Sequence, residues 1–233
     1  MLLPYNKNKL WFTIVGTGRC GTVYFAKLLT AIGLPCGHER MFGPEGLEHA
    51  LKFNTNNSDV SQHSGLVNKG NYFVAESSYM AVPYLEHSIL NDTTVIHAIR
   101  NPIKVILSFH NKLQYWHSAH LNRWETFIQN FVDVGNGSPL DKCCKYVVDW
   151  NKNIELCQKK RYLRIKLEDG TEPLLNFLKY KKPINLPPSN TFEEWEHRKP
   201  PLAQPANAED VMNSRYGNDV KKLMLDYGYE HEV

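Results

Sequence analysis

The sequence predicts an α/β fold: a three-layer α/β/α arrangement with a central parallel sheet. Three observations carry this expectation. An apolar run over residues 10–15 enters a glycine-rich turn and then an amphipathic helical pattern. Two later apolar runs, 93–99 and 162–167, pass directly into polar turns that are followed by helical patterns. Strands and helices alternate along the chain, and such crossovers build parallel sheets covered on both faces.

Taken in order, Leu10-Trp11-Phe12-Thr13-Ile14-Val15 reads as a buried strand. Gly16-Thr17-Gly18-Arg19-Cys20-Gly21-Thr22 is a tight loop, after which Phe25, Leu28, Leu29 and Ile32 recur at helical spacing. Short strands are expected over 34–36 and 72–75, the second followed by Glu76-Ser77-Ser78. The run 93–99 ends in Arg100-Asn101-Pro102, and proline favours the first position of a helix, here one over 103–115. Further helices are expected over 123–134, 140–159, 172–179 and 219–227, with the strand 162–167 between the second and third of these. Residues 54–71 are polar without periodicity and read as a loop. Six prolines (183, 187, 188, 200, 201, 205) mark 181–205 as an extended surface segment.

The chain has 233 residues and no strong internal linker, so a single domain over 1–233 is expected. A hydrophobic content of 42% with 22% charged residues suits a soluble globule. The net charge of +3 suits a small anionic ligand, but blocks of Lys and Arg that would indicate a nucleic-acid partner are missing. Five cysteines (Cys20, Cys36, Cys143, Cys144, Cys157), odd in number and irregularly spaced, suggest reduced thiols. Residues 1–9 are polar, unlike a secretory leader, and no apolar run approaches the length of a membrane span. A cytoplasmic location is the expectation; the oligomeric state is not legible.

A strand, a glycine-rich turn and a helix make an anion site. Glycines admit close backbone approach, and the helix N-terminus presents N–H groups and a positive dipole end. Gly16-x-Gly18-x-x-Gly21 matches the dinucleotide fingerprint. That fingerprint also needs a second strand ending in an acid about 20 residues on. Glu39 stands 18 residues past Gly21, but in a polar stretch after a very short apolar segment. Tyr162-x-x-x-Lys166 imitates a dehydrogenase pair but lies on a strand rather than a helix. A triphosphatase loop would end in Gly-Lys-Ser/Thr, whereas here Arg19 is the only cation and Gly21-Thr22 follows. The loop suits a shorter anion held by one arginine, backbone N–H groups and the Thr22 hydroxyl.

Arg100 stands at the C-terminal end of a strand, where ligands bind in open α/β sheets. Ser108 lies eight residues later, about two helical turns along, and the pair could share one phosphate. Here the chain resembles the sulfotransferases that use 3′-phosphoadenosine-5′-phosphosulfate, PAPS. Arg19-Cys20-Gly21-Thr22 looks like that family's 5′-phosphosulfate loop, and Arg100-Asn101-Pro102…Ser108 looks like its 3′-phosphate segment. Ile165-Lys166-Leu167-Glu168-Asp169 and Leu223…Tyr227-Gly228-Tyr229 resemble its late strand and closing helix.

The resemblance implies a P-loop NTPase-like sulfotransferase fold, PAPS as donor and 3′,5′-ADP (PAP) as product, with no metal required. Gly18, Arg19, Cys20, Gly21, Thr22 and Val23 would hold the 5′ end, Arg100 and Ser108 the 3′-phosphate. Arg198 and Lys199 echo a late basic loop of the cytosolic branch. The Lys-Thr-His segment of that branch is absent, and the chain looks closer to the tyrosylprotein, glycan and small bacterial enzymes, whose base is a glutamate shortly after the first helix. Glu39 occupies the matching position, with His38 as the second candidate base and Glu76 the third. Cys20 departs from the usual serine, and Val23 from a frequent second threonine.

The acceptor would bear a hydroxyl, or less often an amine, on a glycan, a peptide tyrosine or a small molecule. Residues 54–71 and 113–120 are candidate contacts, and Tyr115, Trp116 and Trp124 could line a pocket, although core packing is their default role. His117-x-x-His120 lacks the further ligands a metal site needs. The rival functions are an NAD(P)-dependent or kinase-like enzyme using the same loop, and a catalytically silent nucleotide-binding protein.

Overall fold

A computed structural model describes residues 10–52, 74–157, 161–184 and 200–232. The described residues show the expected class, a mixed α/β architecture with a central parallel sheet flanked by helices. They divide into two compact units, Met1–Ala98 with Leu156–Pro187, and Ile99–Glu155 with Pro188–Val233.

The first unit holds the sheet. Its strands are β1 (Phe12–Val15), β2 (Cys36–His38), β3 (Ala75–Ser77), β4 (Thr94–Ile99, whose last residue begins the second unit) and β5 (Tyr162–Lys166), in the spatial order β2-β3-β1-β4-β5. β1 pairs in parallel with β3 and with β4, and β2 in parallel with β3. Ile14 and His38 both lie opposite Ser77, so the C-terminal ends of β1, β2 and β3 meet at one edge of the sheet. From β1 the chain crosses to β2 at one edge, returns to β3 between the two, and then switches to the other side of β1 for β4 and β5. Such a switch point is where open α/β sheets bind ligands.

Helix α1 (Thr22–Ala31) follows β1, and its buried Phe25, Ala26, Leu28 and Leu29 join Ile14, Ala75, Ile96, Ala98 and Ile165 in one core. Leu174 of α6 (Glu172–Phe177) completes that face. A short helix, α2 (Leu47–Lys52), and a 3₁₀ turn over Tyr79–Tyr84 lie after β2 and β3.

The second unit is helical: α3 (Pro102–Leu107), α4 (Arg123–Gln129), α5 (Pro139–Glu155), α7 (Ala208–Asn213) and α8 (Gly217–Asp226). Its core is aromatic. Phe109 meets Tyr146 edge-on at 5.1 Å between centroids, and Tyr146 meets Trp150 at 5.4 Å. Cys143 and Cys144 are fully buried on α5, where they pack, and none of the five cysteines forms a disulfide.

Several boundaries differ from the sequence expectations. The second strand runs Cys36–His38 rather than 34–36, because it pairs with β3 and so extends through the poor strand former Gly37. The third covers Ala75–Ser77, taking in Glu76; residues 72 and 73 lie outside the described residues, as do 54–71, 158–159 and 185–199. The helix expected over 103–115 is α-helical only to Leu107 and continues as a π-turn, Ser108–Leu113. The helix expected over 123–134 stops at Gln129, and the ones at 140–159, 172–179 and 219–227 end at Glu155, Phe177 and Asp226. Two capping boxes, Asn122 with Glu125 and Asn207 with Asp210, define α4 and α7. Among the described residues no helix is long and apolar enough to cross a membrane.

Candidate functional site

The loop between β1 and α1 is shaped by contacts that only glycine permits. A Cβ at Gly16 would come within 2.3 Å of the Ala98 carbonyl oxygen and 2.4 Å of Cys20 Sγ. Gly21 has φ +92°, and a Cβ there would meet Leu167 Cδ1 at 2.6 Å. Arg19 is itself left-handed, at φ 72°, an uncommon conformation for a residue with a side chain. Leu167, in the turn after β5, is therefore a wall of the loop. Sequence reasoning quoted it only as part of a family motif.

Cys20 is buried, and its thiol donates to the Thr17 carbonyl at 2.6 Å. The side chain thus braces the loop from within. At the start of α1, Gly21 supplies no side-chain cap and the first turn holds no acid. The positive end of this ten-residue helix is not offset by an acid of its own, as an anion site requires. Val23 sits half-buried in that first turn.

Thr22 ties the helix start to the neighbouring strands. Its hydroxyl shares a hydrogen bond with His38 Nε2 at 3.1 Å, and its carbonyl accepts from Ser77 Oγ at 2.8 Å. Burial holds the His38 imidazole down to about 4, so the ring is neutral at neutral pH. Glu39 follows at once. Its Oε1 lies 3.9 Å from His38 Nε2, its side chain is 24% exposed, and its backbone is left-handed at φ 52°. With a neutral imidazole this contact is no ion pair. It leaves the carboxylate beside a polar, partly open corner. The structure therefore brings together Thr22, His38 and Glu39, all three proposed from sequence.

Glu76, the third candidate base, is placed differently from the other two. It is wholly buried on β3, and its Oε1 accepts from the backbone N–H groups of Arg40 at 2.7 Å, Met41 at 3.0 Å and Phe42 at 3.5 Å. Oε2 has no hydrogen-bond partner among the described residues. Burial pushes this carboxyl up to about 8, against the pull of those three N–H groups and with a smaller push from Glu39. With no exposed surface it cannot meet an acceptor hydroxyl directly.

In the second unit, Arg100 follows β4 and is partly exposed. Asn101 caps α3, its Oδ1 accepting from Lys104 N at 3.1 Å, and Pro102 opens the helix as expected. Ser108 is buried at the junction of α-helix and π-turn; such π-turns recur at functional sites. Tyr115 and Trp116 are also buried, and Tyr115 packs on Phe109 at 5.0 Å. They belong to the aromatic core rather than to an open pocket. Trp124 instead lies under the Arg123 guanidinium, 4.4 Å from the ring centroid. Arg198 and Lys199 lie outside the described residues.

Residues 90–195 match the sulfotransferase domain family. The matched stretch contains β4, the Arg100–Ser108 segment and β5 with its Leu167-Glu168-Asp169 turn. It supports membership of the sulfotransferases in general rather than of one branch. No curated protein matches the chain.

Proposed function

We propose that the protein is a PAPS-dependent sulfotransferase acting on an acceptor hydroxyl or amine. It would work as one sulfotransferase domain of the branch that uses a glutamate base. The observation that carries this reading is the junction of β1, the uncapped α1 and the Thr22–His38–Glu39 corner. The family match supports it from the other half of the chain.

The loop's donor set fits a phosphosulfate: backbone N–H groups at a helix start, the Arg19 guanidinium, and glycines that keep the backbone bare. PAPS supplies a sulfuryl group on a phosphate leaving group. Gly18, Arg19, Gly21, Thr22 and the first turn of α1 up to Val23 would hold the 5′ end and stabilise negative charge growing on the departing phosphate oxygen. Cys20 takes part by shaping the loop. Arg100 and Ser108 are assigned to the 3′-phosphate, Arg198 and Lys199 to the donor by sequence alone.

Glu39 would accept the acceptor's proton as the acceptor oxygen bonds to sulfur and the bond from sulfur to phosphate oxygen breaks. Neutral His38 would orient Thr22 through its Nε2 hydrogen bond. General-base assistance of this kind contributes about 10²–10⁴-fold. The acceptor class, whether glycan, peptide tyrosine or small molecule, stays open within this proposal.

Thermal unfolding in the presence of 3′,5′-ADP, ATP and NAD tests it. Saturation with 3′,5′-ADP at about 100 times its Kd should stabilise the fold by about 2.7 kcal/mol. Stabilisation by ATP or NAD without any by 3′,5′-ADP would overturn the proposal in favour of a kinase-like or dinucleotide enzyme.

A further inference from the structure

The segment that carries Glu39 is held by one buried side chain. Glu39 ends the run from β2, and the next three residues, Arg40, Met41 and Phe42, turn their backbone N–H groups onto Glu76 Oε1. Glu39's own N–H donates to the Ser77 carbonyl, one residue along β3. Ser78 continues the pattern by donating its hydroxyl to the Phe42 carbonyl at 2.7 Å. Three consecutive residues of β3 and its exit thus bind four consecutive residues, 39 to 42. Glu39 adopts φ 52° within this frame, a conformation that costs about 1–3 kcal/mol and persists only where surroundings impose it.

We infer that Glu76 is a positioning residue for the base: its carboxyl oxygen clamps the 40–42 backbone and so sets where the Glu39 carboxylate stands. This rests on the sulfotransferase reading for what Glu39 does, but not for how it is held. The clamp needs an acceptor oxygen at the end of a two-methylene stem. It does not need a negative charge, since burial favours the protonated carboxyl and Oε2 has no partner among the described residues to share one. Glutamine meets that requirement, while aspartate keeps the acid but withdraws the oxygen from the amides.

Two conservative variants separate the possibilities, each measured in the full chain by amide hydrogen exchange, 3′,5′-ADP affinity and steady-state turnover. Glu76→Gln should keep the protection of the 40–42 amides and hold kcat within about threefold of wild type. Glu76→Asp should raise exchange at those amides by about tenfold or more through local opening. It should also lower kcat by about 10- to 100-fold, as misplacing a reacting group by about 1 Å does, with the Kd for 3′,5′-ADP unchanged within about twofold. Wild-type exchange in Glu76→Asp, lost protection in Glu76→Gln, or a parallel loss of 3′,5′-ADP affinity would overturn the inference. If exchange follows the expected pattern while the wild type transfers no sulfuryl group, the clamp stands and the proposed function fails.

Discussion

Glu39 and Glu76 are two carboxyls near one corner with opposite environments. Glu39 is partly open beside a neutral imidazole, while Glu76 is sealed in the sheet. Such different surroundings suit the two carboxyls to different roles. Replacing Glu39 by Gln removes the proposed proton acceptor while preserving shape. Turnover should fall by about 10²–10⁴-fold, with 3′,5′-ADP affinity unchanged by calorimetry. Equal turnover in the variant and wild type would remove Glu39 as the base. The residue types at this corner were legible from sequence: a glutamate past the first helix, a histidine before it, a threonine at the helix start. Glu76 was read from sequence as a third candidate base, because nothing local states that three amides 34 to 36 residues away converge on it.

At the scale of elements, the β1–loop–α1 unit depends on two backbone approaches. Gly16 abuts the Ala98 carbonyl on β4, and Gly21 abuts Leu167 after β5. Gly21→Ala would add a methyl in the left-handed region and press it on Leu167. A left-handed non-glycine residue costs about 1–2 kcal/mol, so urea unfolding should show a loss of at least about that size. The variant should also bind 3′,5′-ADP more weakly as the helix start shifts. Unchanged stability and affinity would mean the loop tolerates a right-handed alternative. The strand–loop–helix reading of this stretch was sound because periodicity and glycine spacing are local signals. The π-turn at Ser108–Leu113 was not foreseen, because an α-helical pattern and a π-turn share their apolar spacing over so short a span.

For the whole molecule, the two displaced titrations give stability a definite pH dependence. Glu76 sits at about 8 when folded against 4.5 as its ordinary value, so its contribution is complete below 4.5 and is lost as pH rises to about 8. His38 sits at about 4 against 6.5, so its contribution is present above 6.5 and is lost as pH falls toward 4. Between pH 6.5 and 8 only Glu76 of this pair still acts, and about 1.36 kcal/mol per pH unit amounts to about 2 kcal/mol over that interval. Urea unfolding at these two pH values should show that loss in wild type and its absence in Glu76→Gln. An equal loss in the glutamine variant would place the proton elsewhere.

By itself the sequence determined the α/β class, the strand–glycine-loop–helix order of residues 12–31, the Arg100–Ser108 segment that falls within the sulfotransferase match, and the naming of Glu39 and His38 as candidate bases. Those features are written in hydrophobic period, glycine spacing and residue type, all of them short-range. Only the tertiary structure decided that His38 meets Thr22, that Cys20 turns inward to Thr17, that Leu167 walls the loop, and that Glu76 holds the backbone beyond Glu39. Apart from the local Cys20 turn, these contacts join segments that lie on or follow different strands, brought together by the order β2-β3-β1-β4-β5 and its register. Side chains far apart in sequence meet only once that pairing has formed.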